Sequence, residues 1–269
     1  MRKLGEADRA RLLEYLCAEP ECNIFIIGDI ENFGFDDESV EVFAHERESG
    51  EFDSVALRFF ANYVIYAAEP DFDAKALADF LKSRKLDMIS GKGDVCRALM
   101  PYFEGRALRE TRLAGCREPR EFPFEGEGLI MRRMRADEAE GIVELFGEID
   151  EFRDNYIEGE MRVRRVEEKR AEIERGSEVC FGVFSGEELV STAAVAACCS
   201  AGGMVVGVAT RKGWRGRGLA SAVVSAVCRE RISAGCKTLA IFYDNPEAAK
   251  IYEKIGFVEV GDYGMIKSI

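Results

Sequence analysis

The stretch that most constrains the fold of this chain is residues 206–220, VGVATRKGWRGRGLA. An apolar run ends at Thr210, and the next ten positions hold three glycines and four cationic residues. A strand that feeds a glycine-rich turn and then a helix can hold phosphate, because the first N–H groups of a helix have no intrahelical acceptor. The chain as a whole is acidic, with a formal net charge of −13. This local cationic cluster therefore indicates an anionic ligand at one site.

The composition excludes several classes of protein. The chain has 269 residues, of which 47% are hydrophobic and 32% charged, so we expect a folded protein. No apolar run approaches the ~20 residues that cross a bilayer, and the N-terminus has no signal-peptide pattern, so we expect no membrane contact. The acidity argues against nucleic acid as a partner, because phosphate neutralisation needs a broad basic surface.

The nine cysteines are scattered and never spaced as CxxC. A zinc site needs paired thiolates or histidines, and the only histidine is His45, for which we assign no catalytic role. Most of the cysteines lie in apolar stretches, where a free thiol behaves as a small buried hydrophobe. We therefore expect a cytoplasmic protein with reduced thiols and no metal.

Proline and charge punctuate residues 116–128, CREPREFPFEGEG, which indicates a linker. We place the domain boundary between Gly126 and Glu127, giving domains 1–126 and 127–269. Hydrophobic periodicity predicts the order β-α-α-β-β-β-α-β-α-β in the second domain. The predicted strands are 129–134, 179–184, 189–197, 204–209, 238–243 and two closing strands at 257–260 and 265–269. The predicted helices are one from about 137, one at 160–175, one after the glycine-rich turn and one at 246–255.

The first domain shows the same order of predicted elements, which indicates a tandem duplication of one mixed α/β fold. Its predicted strands are 1–4, 40–45, 55–60, 63–67, 87–90 and 107–113, and its predicted helices are 7–17, 23–32, 74–81 and 94–103. The junction that corresponds to the glycine-rich turn is residues 67–73, AAEPDFD, where carboxylates replace arginines and glycines. Three acidic groups would repel a pyrophosphate, so we expect no phosphate ligand there.

Two common nucleotide-binding patterns are absent from the glycine-rich turn: neither GxxxxGKS/T nor a GxGxxG after a first strand occurs. Residues 215–220, RGRGLA, instead resemble the acetyl-CoA motif of the GNAT acyltransferases, Arg/Gln-x-x-Gly-x-Gly/Ala. The preceding strand, 206–210, resembles that family's fourth strand, which splays from the fifth and hydrogen-bonds the pantetheine arm. A second GNAT motif follows at 245–252, NPEAAKIY, and 253–257, EKIGF. The resemblance covers most of 129–269 and is sharpest from 204 to 260.

This resemblance implies an α/β fold with a mixed sheet, in two tandem GNAT-like domains of which the N-terminal one is degenerate. The layout is similar to that of glycine N-acyltransferase-like enzymes, in which only the C-terminal half is catalytic. The implied co-substrate is acetyl-CoA, and the implied catalytic residues are Tyr252 and Asn245. The residues implied to bind the cofactor are Val206, Gly207, Val208, Thr210, Arg215, Gly216, Arg217, Gly218, Leu219, Ala220, Asn245 and Tyr252.

Several of these residues have structural alternatives. Asn245 precedes a proline at a helix start, which is an ordinary N-cap, and it can serve both roles. Tyr252 lies on the apolar side of its helix and competes as a core residue; in the family, the tyrosine at this position protonates the departing thiolate, as a phenol with a pKa near ~10 can. Arg211 and Lys212 face either the CoA phosphates or solvent, and we favour solvent.

The implied reaction is direct attack of an amine on the thioester, with a backbone N–H of the strand 204–209 steadying the oxyanion. That strand carries no carboxylate to act as a base. The candidates by family topology are Glu144, Glu148, Asp150 and Asp154, although each also fits a surface position. The acidic surface favours a cationic acceptor, either a small molecule or a peptide.

Two other functions stay open: a non-catalytic acyl-CoA-binding or regulatory module, and a phosphate-binding protein unrelated to CoA. The expected assembly is a monomer or a homodimer. Little sequence follows the strand at 257–260, so we do not expect the full final hairpin of the family in the second domain. An open sheet edge is normally covered. We therefore expect the first domain, or a second copy of the chain, to complete the sheet.

Overall fold

The structure is a computed structural model that describes residues 1–149 and 160–269. The elements of the first half are β1 (Arg2–Lys3), α1 (Arg9–Leu16), α2 (Pro20–Phe33), β2 (Val40–Glu46), β3 (Phe52–Phe59), β4 (Asn62–Tyr66), α3 (Ala74–Lys82), β5 (Met88–Lys92), α4 (Gly93–Leu99) and β6 (Arg106–Cys116).

The second half repeats this order within the residues described. Its elements are β7 (Leu129–Arg133), α5 (Ala139–Gly147), α6 (Glu160–Arg175), β8 (Val179–Ser185), β9 (Glu188–Ala196), β10 (Gly203–Thr210), α7 (Leu219–Ser233), β11 (Leu239–Tyr243), α8 (Pro246–Ile255) and β12 (Val258–Ser268).

The helix bounds follow from local sequence, as α8 illustrates. Asn245 caps it with its side chain, Pro246 occupies the first position, and Gly256 ends it with φ of 109°. Proline fits the first turn because its missing N–H would have no intrahelical acceptor, and the left-handed backbone at Gly256 favours glycine. The structure gives this helix the bounds that the sequence predicted.

All twelve strands form one mixed sheet in the order β1-β2-β3-β4-β5-β12-β6-β11-β10-β9-β8-β7. Neighbours are antiparallel except for β4–β5 and β10–β11, which are parallel. The order is the same when it is followed from either end, except that the last strand of each half has changed places with the other. Thus β12 of the second half lies beside β5, and β6 of the first half lies beside β11.

The two exchanged strands pair with each other at the centre of the sheet. Each has eleven residues, and their middle residues, Thr111 and Tyr263, are opposite one another. Helix α4 packs closely on β12, since a Cβ on Gly264 would lie 2.6 Å from the Cβ of Cys96. The expectation that the first half completes the sheet of the second is met by β6, which pairs with both β11 and β12.

The end of the chain differs from the sequence prediction. The sequence predicts two separate strands, 257–260 and 265–269. The structure has one strand, β12, with a bulge between Glu259 and Gly261 where the register against β6 shifts. Gly261 has φ of 151°, a conformation that favours glycine. A bulge glycine and a turn glycine look alike in sequence, and pairing on both sides of β12 decides between them.

The predicted linker crosses the second half as an extended strap. Cys116 belongs to β6, and residues 117–128 contain no helix or strand. The N–H of Arg120 donates to the carbonyl of Ile255 at 2.7 Å, and the N–H of Phe122 donates to the Ser225 hydroxyl at 3.0 Å. The strap therefore lies on α7 and the end of α8, beside the glycine-rich turn.

Helices cover the second half's strands on both faces. Helices α7 and α8 pack on one face through a core that includes Val223, Leu239 and Tyr252. Because side chains alternate along a strand, Ala240 of β11 and its neighbours face the other side, where α5 packs and where α2 of the first half lies against Val206. Among the described helices, none is long and apolar enough to cross a bilayer.

We predict that residues 127–269 expressed alone will aggregate or remain inactive. Removing β6 leaves the edge of β11 unpaired and takes away a partner of β12, and such edges associate with other chains. Solubility, size-exclusion chromatography and far-UV circular dichroism of the fragment test this. Co-expression with residues 1–126 is the control and should restore soluble material. A monodisperse, folded fragment would show that β6 is dispensable.

Candidate active site

The candidate site lies where β10 and β11 separate. The two parallel strands are paired only at Gly203–Leu239 and Met204–Ala240, and beyond these positions β10 has no partner on that side within the described chain. On its other side β10 stays paired with β9, through a bulge between Val206 and Ala209. Backbone N–H and C=O groups of β10 therefore border an open fork.

Gly207 forms the bulge and sets the shape of this fork. Its φ is 61°, and a Cβ there would lie 2.9 Å from Cζ of Phe146 on α5. Positive φ and the aromatic ring both favour glycine at this position. The flanking residues Val206 and Val208 are half-buried and pack toward opposite sides of the sheet.

Below the fork the chain turns into α7 through two left-handed glycines. Gly216 has φ of 76°, and Gly218, the N-cap of α7, has φ of 78°. No side chain caps the helix, and a Cβ on Gly216 would have no atom within 4 Å. The first-turn N–H groups, with Leu219 buried behind them and Ala220 half-buried, thus form an anion-binding geometry.

Three cations surround this helix N-terminus. Lys212, Arg215 and Arg217 are exposed, and none has a carboxylate partner in the part of the chain that the structure describes. The Nε of Arg215 donates to the Thr210 carbonyl at 3.1 Å, and the guanidinium of Arg217 lies 4.7 Å from the Trp214 ring centroid. These contacts hold the cations at the turn and leave their positive charge uncompensated.

Arg211 differs from its three cationic neighbours, and its position contradicts the expectation that it faces solvent. Its side chain is only 12% exposed, and it pairs with Glu148, with Glu144 at 3.1 Å and with Glu188 at 3.3 Å. Its Nε also donates to the Leu189 carbonyl at 2.8 Å. Arg211 therefore faces neither solvent nor an open phosphate site, and it joins α5 to the β8–β9 turn.

Two of the carboxylates considered as a base take part in these contacts. Glu144 and Glu148 both form ion pairs with Arg211, so each already has a partner within the protein. Asp150 and Asp154 lie outside the described residues.

Tyr252 lies on α8, on the face of the sheet that α7 and α8 cover. It is 6% exposed, and its ring packs against Tyr243 and Phe257, with centroids 5.6 Å and 5.9 Å away. Its hydroxyl has no hydrogen-bond partner among the described residues. Burial raises the pKa of Tyr252 to about 12, so its proton is retained at neutral pH. The residue is part of the core and also holds an unused proton donor.

Two other polar residues implied by the family motif are occupied within the chain. Oδ1 of Asn245, which is exposed, accepts from the N–H of Glu247 at 2.9 Å and caps α8. The Thr210 hydroxyl lies 2.8 Å from that of Ser191 on β9. Both side chains therefore have structural roles in this structure.

Asp29 is a candidate that the sequence did not reveal. It lies on α2 of the first half, one turn after Phe25, whose ring stacks on Phe242 of β11 at 6.2 Å. Asp29 is half-buried, has no ion-pair partner in the described chain, and burial raises its pKa to about 6. The packing of α2 against the second half brings this carboxyl within electrostatic range of Tyr263 on β12, a contact that periodicity could not indicate.

The corresponding junction of the first half is closed. There β4 and β5 remain paired over four positions, from Asn62–Met88 to Ile65–Gly91. Beyond them, Nζ of Lys92 donates to Glu19 at 2.7 Å, and the Tyr66 hydroxyl donates to the same carboxylate at 2.8 Å. Side chains of the protein thus fill the space that is open in the second half.

We predict a pH-dependent stabilisation by Asp29→Asn. The folded-state pKa of Asp29 is raised from 3.8 to about 6, so its contribution to stability is present below pH 4 and is lost as the pH rises through 6. Since the carboxyl is partly solvated, we expect a gain of about 1 kcal/mol at pH 8, or roughly 2–4 °C in Tm. At pH 4 the gain should vanish. Thermal unfolding at both values tests this, with Asp36→Asn as an exposed control; equal shifts at both pH values would contradict it.

Comparisons with known proteins agree with this geometry. A family model described as the acetyltransferase (GNAT) family matches residues 146–257. No curated protein matches the chain by sequence. A solved structure of a Drosophila protein is similar with a TM-score of 0.71 at 14% identity, covering 100% of this chain and 98% of that one.

Two further solved structures cover nearly the whole chain. A GCN5-related N-acetyltransferase from Sphaerobacter thermophilus has a TM-score of 0.63 at 17% identity, covering 98% of this chain and 93% of that one. A tandem GNAT protein from the clavulanic acid biosynthesis pathway has a TM-score of 0.60 at 13% identity, covering 98% and 96%. At such identities these structures show the fold. Together with the family match over residues 146–257, they show that this chain has a tandem GNAT fold, with the match to the acetyltransferase model lying in its second half.

Proposed function

We propose that the second half, residues 127–269, transfers an acetyl or other short acyl group from CoA to a primary amine. The observation that carries this is the open fork between β10 and β11, which leads directly to an uncapped helix N-terminus with three cations that have no carboxylate partner among residues 1–149 and 160–269. A fork that exposes backbone groups suits an extended amide-containing arm. A cationic helix N-terminus suits a pyrophosphate.

In this proposal the turn at 215–220 binds the CoA pyrophosphate. The N–H groups of the first turn of α7 donate to phosphate oxygens, and the backbone can approach closely because Gly216 and Gly218 carry no side chains. Arg215 and Arg217 add charge-assisted contacts. The unpaired side of β10, including Val206 and Val208, binds the pantetheine arm.

The acyl transfer proceeds by direct attack of the amine nitrogen on the thioester carbonyl. A backbone N–H of β10 in the fork stabilises the oxyanion that develops. The C–S bond then breaks, and Tyr252 protonates the departing thiolate. Its raised pKa keeps the phenol protonated at neutral pH, which is the form a general acid needs.

The amine must lose a proton before or during its attack. Asp29 is the carboxyl that we assign to this step, because it has no ion-pair partner among the described residues and its pKa of about 6 is closer to neutrality than that of an ordinary carboxylate. The side chain comes from the first half, so the proposal gives that half a part in the site. The acidic chain favours a cationic acceptor, either a small amine or a lysine side chain.

We predict that Gly216→Asp weakens CoA binding and that Gly216→Asn does so much less. The position is exposed with no atom near a Cβ, so neither side chain displaces a neighbour. Both residues tolerate a positive φ, and they differ mainly in charge. We expect at least a tenfold rise in Kd for Asp over Asn by isothermal titration calorimetry, falling at high salt. Equal affinities for the two variants would exclude this turn as the pyrophosphate site.

We also predict that Tyr252→Phe lowers kcat by roughly 10²–10⁴-fold with little change in CoA affinity. The ring contacts to Tyr243 and Phe257 are retained, and the hydroxyl makes no hydrogen bond to any residue that the structure describes. Tyr243→Phe is the matched control and should keep its turnover. Thioester consumption against a panel of primary amines measures the effect. An unchanged kcat would assign Tyr252 to packing alone, and CoA binding without turnover by the unaltered protein would favour the non-catalytic acyl-CoA-binding module.

A further inference from the structure

Two cysteines lie side by side at the closed end of the fork. Cys198 follows β9, Cys236 follows α7, and both are partly exposed. Between them is Gly203, the first residue of β10. A Cβ on Gly203 would lie 3.2 Å from Sγ of Cys198 and 3.5 Å from Sγ of Cys236. The absence of a side chain at this position is what gives the two sulfur atoms a common space.

A cation faces one of the two sulfurs. Nη2 of Arg231, in the last turn of α7, lies 3.6 Å from Sγ of Cys198. The Arg231 side chain is only 21% exposed, its nearest carboxylate contact is Glu230 at 4.0 Å, and its buried Nε has no partner within the described chain. An incompletely paired, largely buried guanidinium stabilises an anion next to it.

The contacts around the two sulfurs give Cys198 and Cys236 different pKa values. The neighbouring Cys236 thiol and the charge of Arg231 outweigh burial and the repulsion from Glu230, and they lower the pKa of the Cys198 thiol. The same pairing raises the pKa of Cys236, whose S–H donates to the Thr238 carbonyl at 3.3 Å. In contrast, burial raises the pKa of the neighbouring Cys199 thiol. Of the two thiols, Cys198 is therefore the one that ionises first.

We propose that Cys198 and Cys236 form a thiol–disulfide exchange site that reacts with low-molecular-weight disulfides, independently of acyl transfer. The Cys198 thiolate attacks one sulfur of a disulfide RSSR, which breaks the S–S bond, forms a mixed disulfide and releases RS⁻. The sulfur of Cys236 then attacks Sγ of Cys198, releases the second RS⁻ and gives up its own proton. Two protein thiols are oxidised to one disulfide while RSSR is reduced to two thiols.

The cysteine pair lies beside the positions where β10 and β11 are paired. The N–H of Gly203 donates to the carbonyl of Thr238 at 3.0 Å, next to the two positions where β10 and β11 are paired. The turn between β9 and β10 also reaches the first half, because Ala201 packs in that half's core and the N–H of Ser200 donates to Glu31. A disulfide between Cys198 and Cys236 would fasten the closed end of the fork. We therefore expect the oxidised protein to have a Tm several degrees higher.

The test uses the full chain, freshly reduced, with oxidised glutathione as the probe. The unaltered protein should lose two thiols, and peptide mapping should recover a disulfide joining Cys198 and Cys236. Cys236→Ser should instead accumulate one glutathione adduct on Cys198, because the second step is removed. Cys199→Ser is the matched control and should react as the unaltered protein does. Mapping of the unaltered protein keeps the test independent of any variant's folding.

Arg231→Gln tests whether Cys198 reacts because it is a thiolate or only because it is accessible. At pH 6 its reaction should be roughly tenfold slower, since the thiolate fraction falls more than nucleophilicity rises. At pH 9 the rates should converge. A disulfide or adduct found on the exposed Cys17 with Cys198 unmodified would overturn the proposal. Loss of the Cys236→Ser adduct, or equal rates for Arg231→Gln at pH 6, would overturn it as well.

Discussion

The pairing of β6 with β12 is the interaction on which the rest of the structure depends. Each of these strands comes from one half and lies within the sheet of the other, and together they join ten other strands into one sheet. Because β6 also pairs along β11 through five positions, it holds β11 on the side away from β10. β11 therefore keeps a strand partner where it separates from β10. One border of the open cleft in the second half is thus a strand that pairs with the first half.

The two halves share an order of elements and differ in what occupies their equivalent junctions. In the second half the strands separate early and a glycine turn leaves a helix N-terminus uncapped. In the first half Asp73 caps α3 with its own carboxylate, and the Lys92–Glu19 pair fills the opening. A capping carboxylate already accepts from the helix N-terminus and would repel an anionic ligand there. One fold therefore supports a ligand site in one copy and a packed structural junction in the other.

Sequence periodicity was sufficient for most of the fold, and contacts across the sheet account for what it missed. It predicted α8 to the residue and the order of elements in both halves, because caps, glycines and apolar spacing are local signals. It divided β12 in two at Gly261, since only the two flanking strands distinguish a bulge from a turn. It left the partner of Arg211 open, because Glu144 and Glu148 are more than sixty positions away. Sequence periodicity could not identify Asp29 either, because its neighbours in the second half are also distant in sequence.

The strand exchange also bears on how the chain reaches this structure during synthesis. When β1–β5 have left the ribosome, their sheet still lacks the neighbour that β5 requires, and that neighbour is residues 258–268. Neither copy of the fold can be completed before the other is nearly made. Contacts of such large sequence separation are slow to form and leave strand edges exposed meanwhile. Until residues 258–268 are made, the edge of β5 stays open to pairing with other chains, which would not hold for a plain tandem of two self-contained domains.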